Sequence, residues 1–461
     1  MLDEQQVRDV VARMWVLQTQ DRLALDRIHA AVLGRSGRPE VPEGSSSEVK
    51  NLAAMSVLNV LGMVRNSFTD NLSVVGYRSA DSQENDPAWA LWKRNRMDAR
   101  QAEPHRAAVT YGSGFALVKP GDRGPVIHTR SPRQILAVYD DPTLDEWPVF
   151  AMQTWVSEQN ARKHWRATLF DDRFTYELDL GELPVGEVAS ETVSKPPAVR
   201  SIDEVTEHGA VMDGRPVCPV VRFVNDRDAD DPLVGEIAPL LNDQWTINEV
   251  NFDRLIVARF AASPQKVITG WQGSREETLR ASASRVWTFE DAEVRATALP
   301  AASMKQYDET LSALFEHVAM VAGLSPAQMT GRLVNVSAEA LAAAEATLQR
   351  KLAAKRESFG ESWKQVMRLC AAMDGDSATA ADSEAEIVWR DTEARTFAGI
   401  VDGIVKLGQA GVPLEPMIPM IPGLTQPQVK AMKDGLRAAR VSDLVGLLGA
   451  PEQQQATPPP G

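Results

Sequence analysis

Four aspartates crowd one short stretch, Asp226, Asp228, Asp230 and Asp231, and calcium loops draw oxygen ligands from such spacing. The pattern then fails. The sixth position from Asp226 is Asp231, where the loop needs glycine for its turn, and the twelfth is Ile237, where it needs glutamate. A solvated acidic turn fits these residues better. Asp140-Asp141 and Asp145-Glu146 invite a metal-dependent nuclease. They flank Pro142 between two candidate strands, with no basic catalytic partner recurring nearby, so a turn is favoured here too. The 6 histidines (His29, His105, His128, His164, His208 and His317) are scattered, and none forms an HExxH pair. The 2 cysteines, Cys218 and Cys370, sit in apolar contexts and suggest neither a disulfide framework nor a zinc site.

Phosphate chemistry is equally thin. Tyr111-Gly112-Ser113-Gly114 contains GxG but follows a helix-like segment and lacks a third glycine. A helix end leading into a strand explains it. There is no Walker A sequence and no serine nucleophile elbow. The expectation is a chain that is not an enzyme and carries no cofactor and no metal. One basic run remains, Arg350, Lys351, Lys355 and Arg356. It could touch nucleic acid or an acidic neighbour, or be the solvated face of a long helix.

The helices that would carry this run dominate the pattern. Ser303 and Gln306 read as a capping box. Tyr307, Leu311, Leu314, Phe315, Val318, Val321 and Ala322 then recur every three or four residues, one amphipathic stripe. Gly323 is placed as a left-handed C-cap, and Pro326 blocks continuation. A polar irregular loop spans 323–336. Ser337 is a good N-cap for a second helix carrying Leu341, Leu348, Leu352, Phe359, Trp363, Val366, Cys370 and Met373. At 1.5 Å per residue that helix is roughly 50 Å long. Gly360 is a candidate bend.

The rest of the 461 residues divides by period. A helix over 2–33, with Val7, Val10, Val11, Met14 and Leu17 on one face, precedes a Gly/Pro/Ser linker at 34–47. Ser45 and Glu48 open a further helix whose face runs from Ala53 to Phe68. A short strand at 74–78 and a two-piece helix from Asp86-Pro87 to Tyr111 follow. From Phe115 the period is two, predicting a mostly antiparallel β-rich domain with strands near 115–119, 125–128, 135–139, 149–156, 166–180 and 217–224. Residues 181–208 read as a long loop or insertion, and 235–260 as a helix. Residues 261–300 read as a small α/β module inserted between two helices. After an acidic spacer at 374–383, a strand at 387–390 is expected to return to the β-rich domain. Helices near 397–404, 427–440 and 441–448 and a disordered tail end the chain. The class is α+β.

Composition bounds the function. Hydrophobic residues make up 44% of the chain, enough for real cores. The net charge of −14 argues against gripping nucleic-acid phosphates over the whole surface, though not against letting DNA slide past. The acidic start, MLDEQQVRDV, is no signal peptide, and no run reaches the roughly 18 apolar residues that span a bilayer. No membrane and a reducing cytoplasm are expected.

The order of parts resembles the tailed-bacteriophage portal proteins of siphophage type, close to those of phages infecting actinobacteria. Three features carry it between about Glu48 and Gly449. One is Phe223-Val224-Asn225 before an acidic turn, Gly235-Glu236 and a helix. Another is the insert bounded by Ser263-Pro264, Ile268-Thr269-Gly270-Trp271 and Leu299-Pro300. The third is Ala322-Gly323-Leu324-Ser325-Pro326, then Gly331, Asn335-Val336-Ser337 and Ala340-Leu341, leading into the long helix with Phe359-Gly360. The resemblance implies N-terminal helices and a β-rich wing over 1–234, stem helices over 235–260 and 301–322, and a clip over 261–300. It further implies a tunnel loop over 323–336, the long wing helix and a returning strand over 337–391, and a helical crown over 392–450, with a disordered tail over 451–461.

On that resemblance, identical copies close into a ring, commonly a dodecamer, at one capsid vertex. The ring passes double-stranded DNA during packaging and ejection. Its partners are the terminase large subunit, the head-tail adaptor, and the major capsid and scaffolding proteins. Its place is the virion, reached from the host cytoplasm during assembly. Gln328, Met329, Thr330, Arg332 and Asn335 would face DNA, with Arg332 the clear cation for a transient phosphate contact. Lys266, Trp271, Arg275 and Trp287 would meet partners at the clip, since aromatics are enriched at hot spots. The two tryptophans could equally be the module's own core. A cytoplasmic helical scaffold without a DNA role stays open as the alternative. A metal-dependent nuclease is disfavoured, because no acid, base or ligand motif converges.

Overall fold

Where the hydrophobic period is near 3.6 the chain is helical, and where it is two the chain pairs into sheets. The computed structural model describes residues 1–79, 86–159, 162–182, 199–227, 233–261, 266–269, 295–298, 304–331, 338–392, 397–421, 424 and 426–448. Two compact units result, Met1–Arg390 and Asp391–Gly461.

The first unit begins with α1 (Glu4–Val32), opened by a capping box in which Asp3 accepts from the Gln6 N–H and Gln6 from the Asp3 N–H. Its first half buries Val7, Val11, Met14 and Trp15 in the core of the large sheet. Its last turns bury Ile28, Ala31 and Val32 in the helical core. Leu17, expected inward, is 44% exposed, because Trp15 and Gln18 hold the buried face. The predicted helix through Phe68 is two helices, α2 (Ser47–Met55) and α3 (Val60–Thr69). Ser46, rather than Ser45, caps the first, and Asn59 caps the second by accepting from the Gly62 N–H. Strand β1 (Val74–Arg78) precedes three helical pieces where two were expected: α4 (Trp89–Arg94), α5 (Met97–Arg100) and α6 (Ala102–Tyr111). The extra break falls at Arg96, whose φ is +55°.

Three antiparallel strands, β2 (Ser113–Lys119), β3 (Val126–Arg130) and β11 (Val220–Val224), form a sheet in the order β11-β2-β3. Five more form a meander: β4 (Ile135–Val138), β5 (Phe150–Gln159), β6 (Arg162–Phe170), β7 (Phe174–Glu182) and β8 (Ser201–Glu207). Phe115, Leu117 and Val220 of the first sheet pack with Ile135, Ala151 and Phe170 of the second. The stretch expected to be one insertion therefore contains an edge strand, β8. Its charged residues Asp203, Glu204 and Glu207 mask the alternation and suit an exposed edge. A small hairpin, β9 (Val211–Met212) and β10 (Arg215–Pro216), turns at Asp213-Gly214.

A 3₁₀ turn (Ala238–Leu240) leads to α7 (Leu241–Ala261), then β12 (Lys266–Thr269) and β13 (Arg295–Ala298), then α8 (Met304–Ala322). Next come the short α9 (Pro326–Thr330), the 37-residue α10 (Ala338–Asp374), α11 (Ser377–Ala381) and β14 (Glu386–Trp389). The predicted spacer thus holds a turn of helix, capped by Asp376 accepting from the Thr379 N–H. Strand β14 does not join the β-rich sheets. It pairs antiparallel with β1, Tyr77 opposite Ile387. Helix α10 runs unbroken through Gly360 and buries Leu348, Leu352, Phe359, Trp363, Val366 and Cys370 as its stripe predicts. Around it Trp92, His105, Phe223 and Trp389 complete an aromatic cluster, with His105 stacked 5.1 Å from Phe359.

The second unit contains α12 (Phe397–Gln409), a 3₁₀ turn (Glu415–Met420) and α13 (Gln426–Leu448). Helix α13 is continuous where two helices were expected, since nothing at Arg440-Val441 breaks it. Arg437 reaches back to Glu415 at 2.6 Å.

Candidate functional site

Helices α7 and α8 lie side by side and antiparallel. Asp243 near the start of α7 faces His317 near the end of α8 at 3.7 Å, and Arg254 further along α7 faces Asp308 early in α8 at 3.2 Å. The chain leaving α7 and the chain entering α8 are joined through the β12–β13 ladder, Lys266 opposite Ala298 and Thr269 opposite Arg295. Lys266 opens β12. Trp271, Arg275 and Trp287 lie outside the described residues.

The end of α8 is as its glycine predicts. Gly323 has φ +74°, its N–H donates to Met320 O at 3.2 Å, and the Leu324 N–H donates to Ala319 O at 2.8 Å. These are the paired bonds of a Schellman cap. Val321, placed on the inward stripe, is 40% exposed. The following segment is not irregular. Ser325 and Gln328 form a capping box with Pro326 at the first helical position, producing α9, and Gly331 ends it at φ +67°. Of the residues expected to face DNA, Met329 is turned inward: at 9% exposed it packs into the main core and anchors the segment. Gln328 is occupied with the cap and reaches Glu345 at 3.5 Å, and the Thr330 hydroxyl donates to Pro326 O at 3.0 Å. Arg332 and Asn335 lie outside the described residues.

Behind this segment sits a buried ionic node that sequence reading did not assemble. Lys355 on α10 donates to Glu236 Oε1 at 2.6 Å and to Asn225 Oδ1 at 2.7 Å. Lys351, one turn earlier, donates to Glu236 Oε2 at 3.0 Å and to the Ala322 carbonyl at 3.1 Å. Asn225 Nδ2 donates to Val234 O at 3.1 Å, and both ammoniums lie over the Phe68 ring, 5.7 Å and 5.3 Å from its centre. The node joins β11, the approach to α7, the end of α8 and α10. Lys351 and Lys355 of the basic run therefore meet an acidic neighbour inside the fold, while Arg350 lies on the exposed face of α10. A sequence signal existed: Lys355 falls on the apolar stripe between Leu352 and Phe359, and a charge there must find a partner.

Glycines shape the same junction. Gly112 ends α6 at φ +95°, and a Cβ there would lie 2.3 Å from Leu233 O, so the chain approaching Glu236 threads against it. That accounts for the GxG sequence without any nucleotide.

Burial, the largest single effect, pushes the Glu236 carboxyl up, but Lys355 and Lys351 together outweigh it and hold it below the usual carboxylate value. Lys355 is lowered as well, from the opposite balance: burial pushes its ammonium down, and Glu236 offsets only part of that. The charged form is thus favoured at Glu236 and disfavoured at Lys355, since one carboxylate faces two cations while the more buried cation shares its carboxylate. Among the described residues no group of His, Cys, Asp or Glu could hold a metal, and no helix is long and apolar enough to cross a membrane. Asp141 forms a turn, accepting from the Thr143 N–H at 2.9 Å and the Leu144 N–H at 3.3 Å.

The family model described as phage portal protein, SPP1 Gp6-like, matches residues 68–440. The chain belongs to this portal family. The resemblance drawn from the order of parts is thereby borne out. This portal chain is 27% identical over 375 residues to the portal protein of Mycobacterium phage L5 and 26% identical to that of Mycobacterium phage D29. Each alignment covers 76% of the chain and 72% of the relative. Among solved structures, a chain of the virion of a native gene transfer agent particle aligns at 13% identity and a TM-score of 0.43, covering 83% of this chain and 95% of that one. A chain from the neck of an empty gene transfer agent particle aligns at 12% identity and the same TM-score of 0.43, covering 87% and 98%.

Proposed function

We propose that copies of this chain close into a ring at one capsid vertex and conduct double-stranded DNA during packaging and ejection, without catalysing a reaction. The observation that carries this reading is the pair of antiparallel helices α7 and α8 with the β12–β13 ladder between them. Paired rods with an appendage at one end give each copy long lateral surfaces, and a closed ring needs head-to-tail surfaces that repeat. On this reading 235–260 and 301–322 are the stem, 261–300 is the clip and 392–450 the crown. The clip docks the terminase large subunit and then the head-tail adaptor, through Lys266, Trp271, Arg275 and Trp287. The sheets face the major capsid and scaffolding proteins. The ring assembles in the host cytoplasm, with twelve copies expected from the resemblance. Thr330, Gln328, Arg332 and Asn335 are assigned to the DNA side of the loop, with Met329 as their anchor.

Negative-stain electron microscopy of the purified chain tests this directly. Rings with a central hole wide enough for duplex DNA are expected. Monomers or filaments under all conditions would overturn the ring, and metal-dependent DNA cleavage would overturn the non-enzymatic reading.

A further inference from the structure

Ala322 is the last residue of α8, and its carbonyl is one that the helix itself cannot satisfy. The Schellman bonds use Ala319 O and Met320 O and leave Ala322 O open. Lys351 fills it, at 3.1 Å, while its second hydrogen bond goes to Glu236 at 3.0 Å. Glycine at 323 is what makes room. A Cβ there would lie 3.1 Å from Lys351 Cε and 3.3 Å from Cδ, so the lysine stem would have to give by a few tenths of an ångström. The positive end of the side chain also suits the negative end of the α8 dipole.

Lys351 and Lys355 differ in how far their loss would spread. The Lys355 side chain is 4% exposed, and removing it takes one partner each from Glu236 and Asn225. The Lys351 side chain is 35% exposed, and removing it leaves the Glu236–Lys355 pair intact while freeing the end of α8.

We propose that Lys351 is the positioning residue of the segment Gly323–Gly331. One ammonium ties the end of α8 to Glu236 and to α10, and so sets the direction in which the chain leaves α8. The functional weight of this rests on the reading that the segment faces DNA; its geometric content does not.

Hydrogen exchange on the full chain separates the possibilities, comparing wild type, Lys351→Met, Lys351→Arg and Lys355→Met. In Lys351→Met the amides of Leu324 and Gly331 should exchange about tenfold faster, while those of β2 and β11 keep the wild-type rate. Lys351→Arg, which keeps a charged donor, should restore most of the protection. Lys355→Met should raise exchange throughout the core. Equal acceleration in β2 and β11 for Lys351→Met, no change at 323–331, or a Lys351→Met chain that does not fold would each overturn the proposal. DNA packaging by the same variants is a separate readout. A loosened segment with wild-type packaging would leave the positioning role standing and refute the DNA-facing reading.

Discussion

Lys355→Met removes the centre of the ionic node, and its cost can be worked from the contacts. Glu236 Oε1, part-buried, loses a partner at 2.6 Å and the buried Asn225 Oδ1 one at 2.7 Å. Breaking a buried ion pair from one side costs about 3–5 kcal/mol, because the remaining charge stays desolvated. Glu236 keeps Lys351, which moves the estimate toward the lower end. The orphaned Asn225 oxygen adds about 1–3 kcal/mol. A total of roughly 4 kcal/mol is expected. The double variant Lys355→Met with Glu236→Leu should cost clearly less than the sum of the singles, with a coupling of at least about 2 kcal/mol, since Lys351 can turn to water. Urea unfolding followed by tryptophan fluorescence at one fixed protein concentration measures this, provided the slopes stay equal. A loss below about 1 kcal/mol for Lys355→Met, or singles that simply add, would refute the account. The pH dependence has a defined sign. The Glu236 carboxyl is depressed in the folded chain, so its stabilisation is present above the unfolded value near 4.3 and is lost as pH falls through the folded value. The gap between wild type and Glu236→Gln should therefore narrow below about pH 4.

Three further outcomes are expected. Burial pushes the His105 imidazole down to about 3, so the unfolded chain takes up a proton below pH 6.5 that the folded chain refuses. Stability drains at up to about 1.4 kcal/mol per pH unit in that window. His105→Phe should shrink the stability lost between pH 7 and 4.5 by about 2 kcal/mol in urea titrations, and an unchanged difference would rule the histidine out. Gly112→Ala forces a Cβ onto a residue at φ +95° and 2.3 Å from Leu233 O; it should destabilise by more than about 2 kcal/mol. Gly360→Ala meets only Trp389 Nε1 at 3.6 Å and Ile387 Cβ at 4.0 Å inside a helix, so its melting temperature should rise, reflecting about 0.5–1 kcal/mol.

Long-period features were legible because they are local. The end of α8 follows from Gly323 alone, and the buried stripe of α10 can be read off at spacings of three and four. The missed elements failed for identifiable reasons. Ser325, Pro326 and Gln328 carry the same capping-box pattern as Ser303 and Gln306, but a proline that stops one helix also suits the first position of the next, and the two roles look alike in sequence. Strand β8 is nearly all polar, because an edge strand need not alternate. Strand β14 finds β1 across more than 300 residues, a choice no local pattern encodes. The node is of the same kind: Glu236 lies 115 residues before Lys351 and 119 before Lys355.

The node also bears on how an acidic chain handles its cations. Taken from sequence, Lys351 and Lys355 are candidates for phosphate contact, and each phosphate neutralised by such a group would add affinity for DNA. In the fold both ammoniums are spent on Glu236, Asn225 and the end of α8. Arg22 and Arg133 converge likewise on Asp26, and Arg166 on Asp203. Cations committed this way stiffen junctions between elements without offering a sliding duplex a place to stick. With a net charge of −14 over the chain, that division is what the proposed conduit for DNA would need. It also locates the sensitive substitutions. Freeing Lys351 by Glu236→Gln would loosen a junction and release a cation at once, so packaging by that variant should slow more at low salt than at high salt. A rate loss independent of salt would mean that only the junction matters.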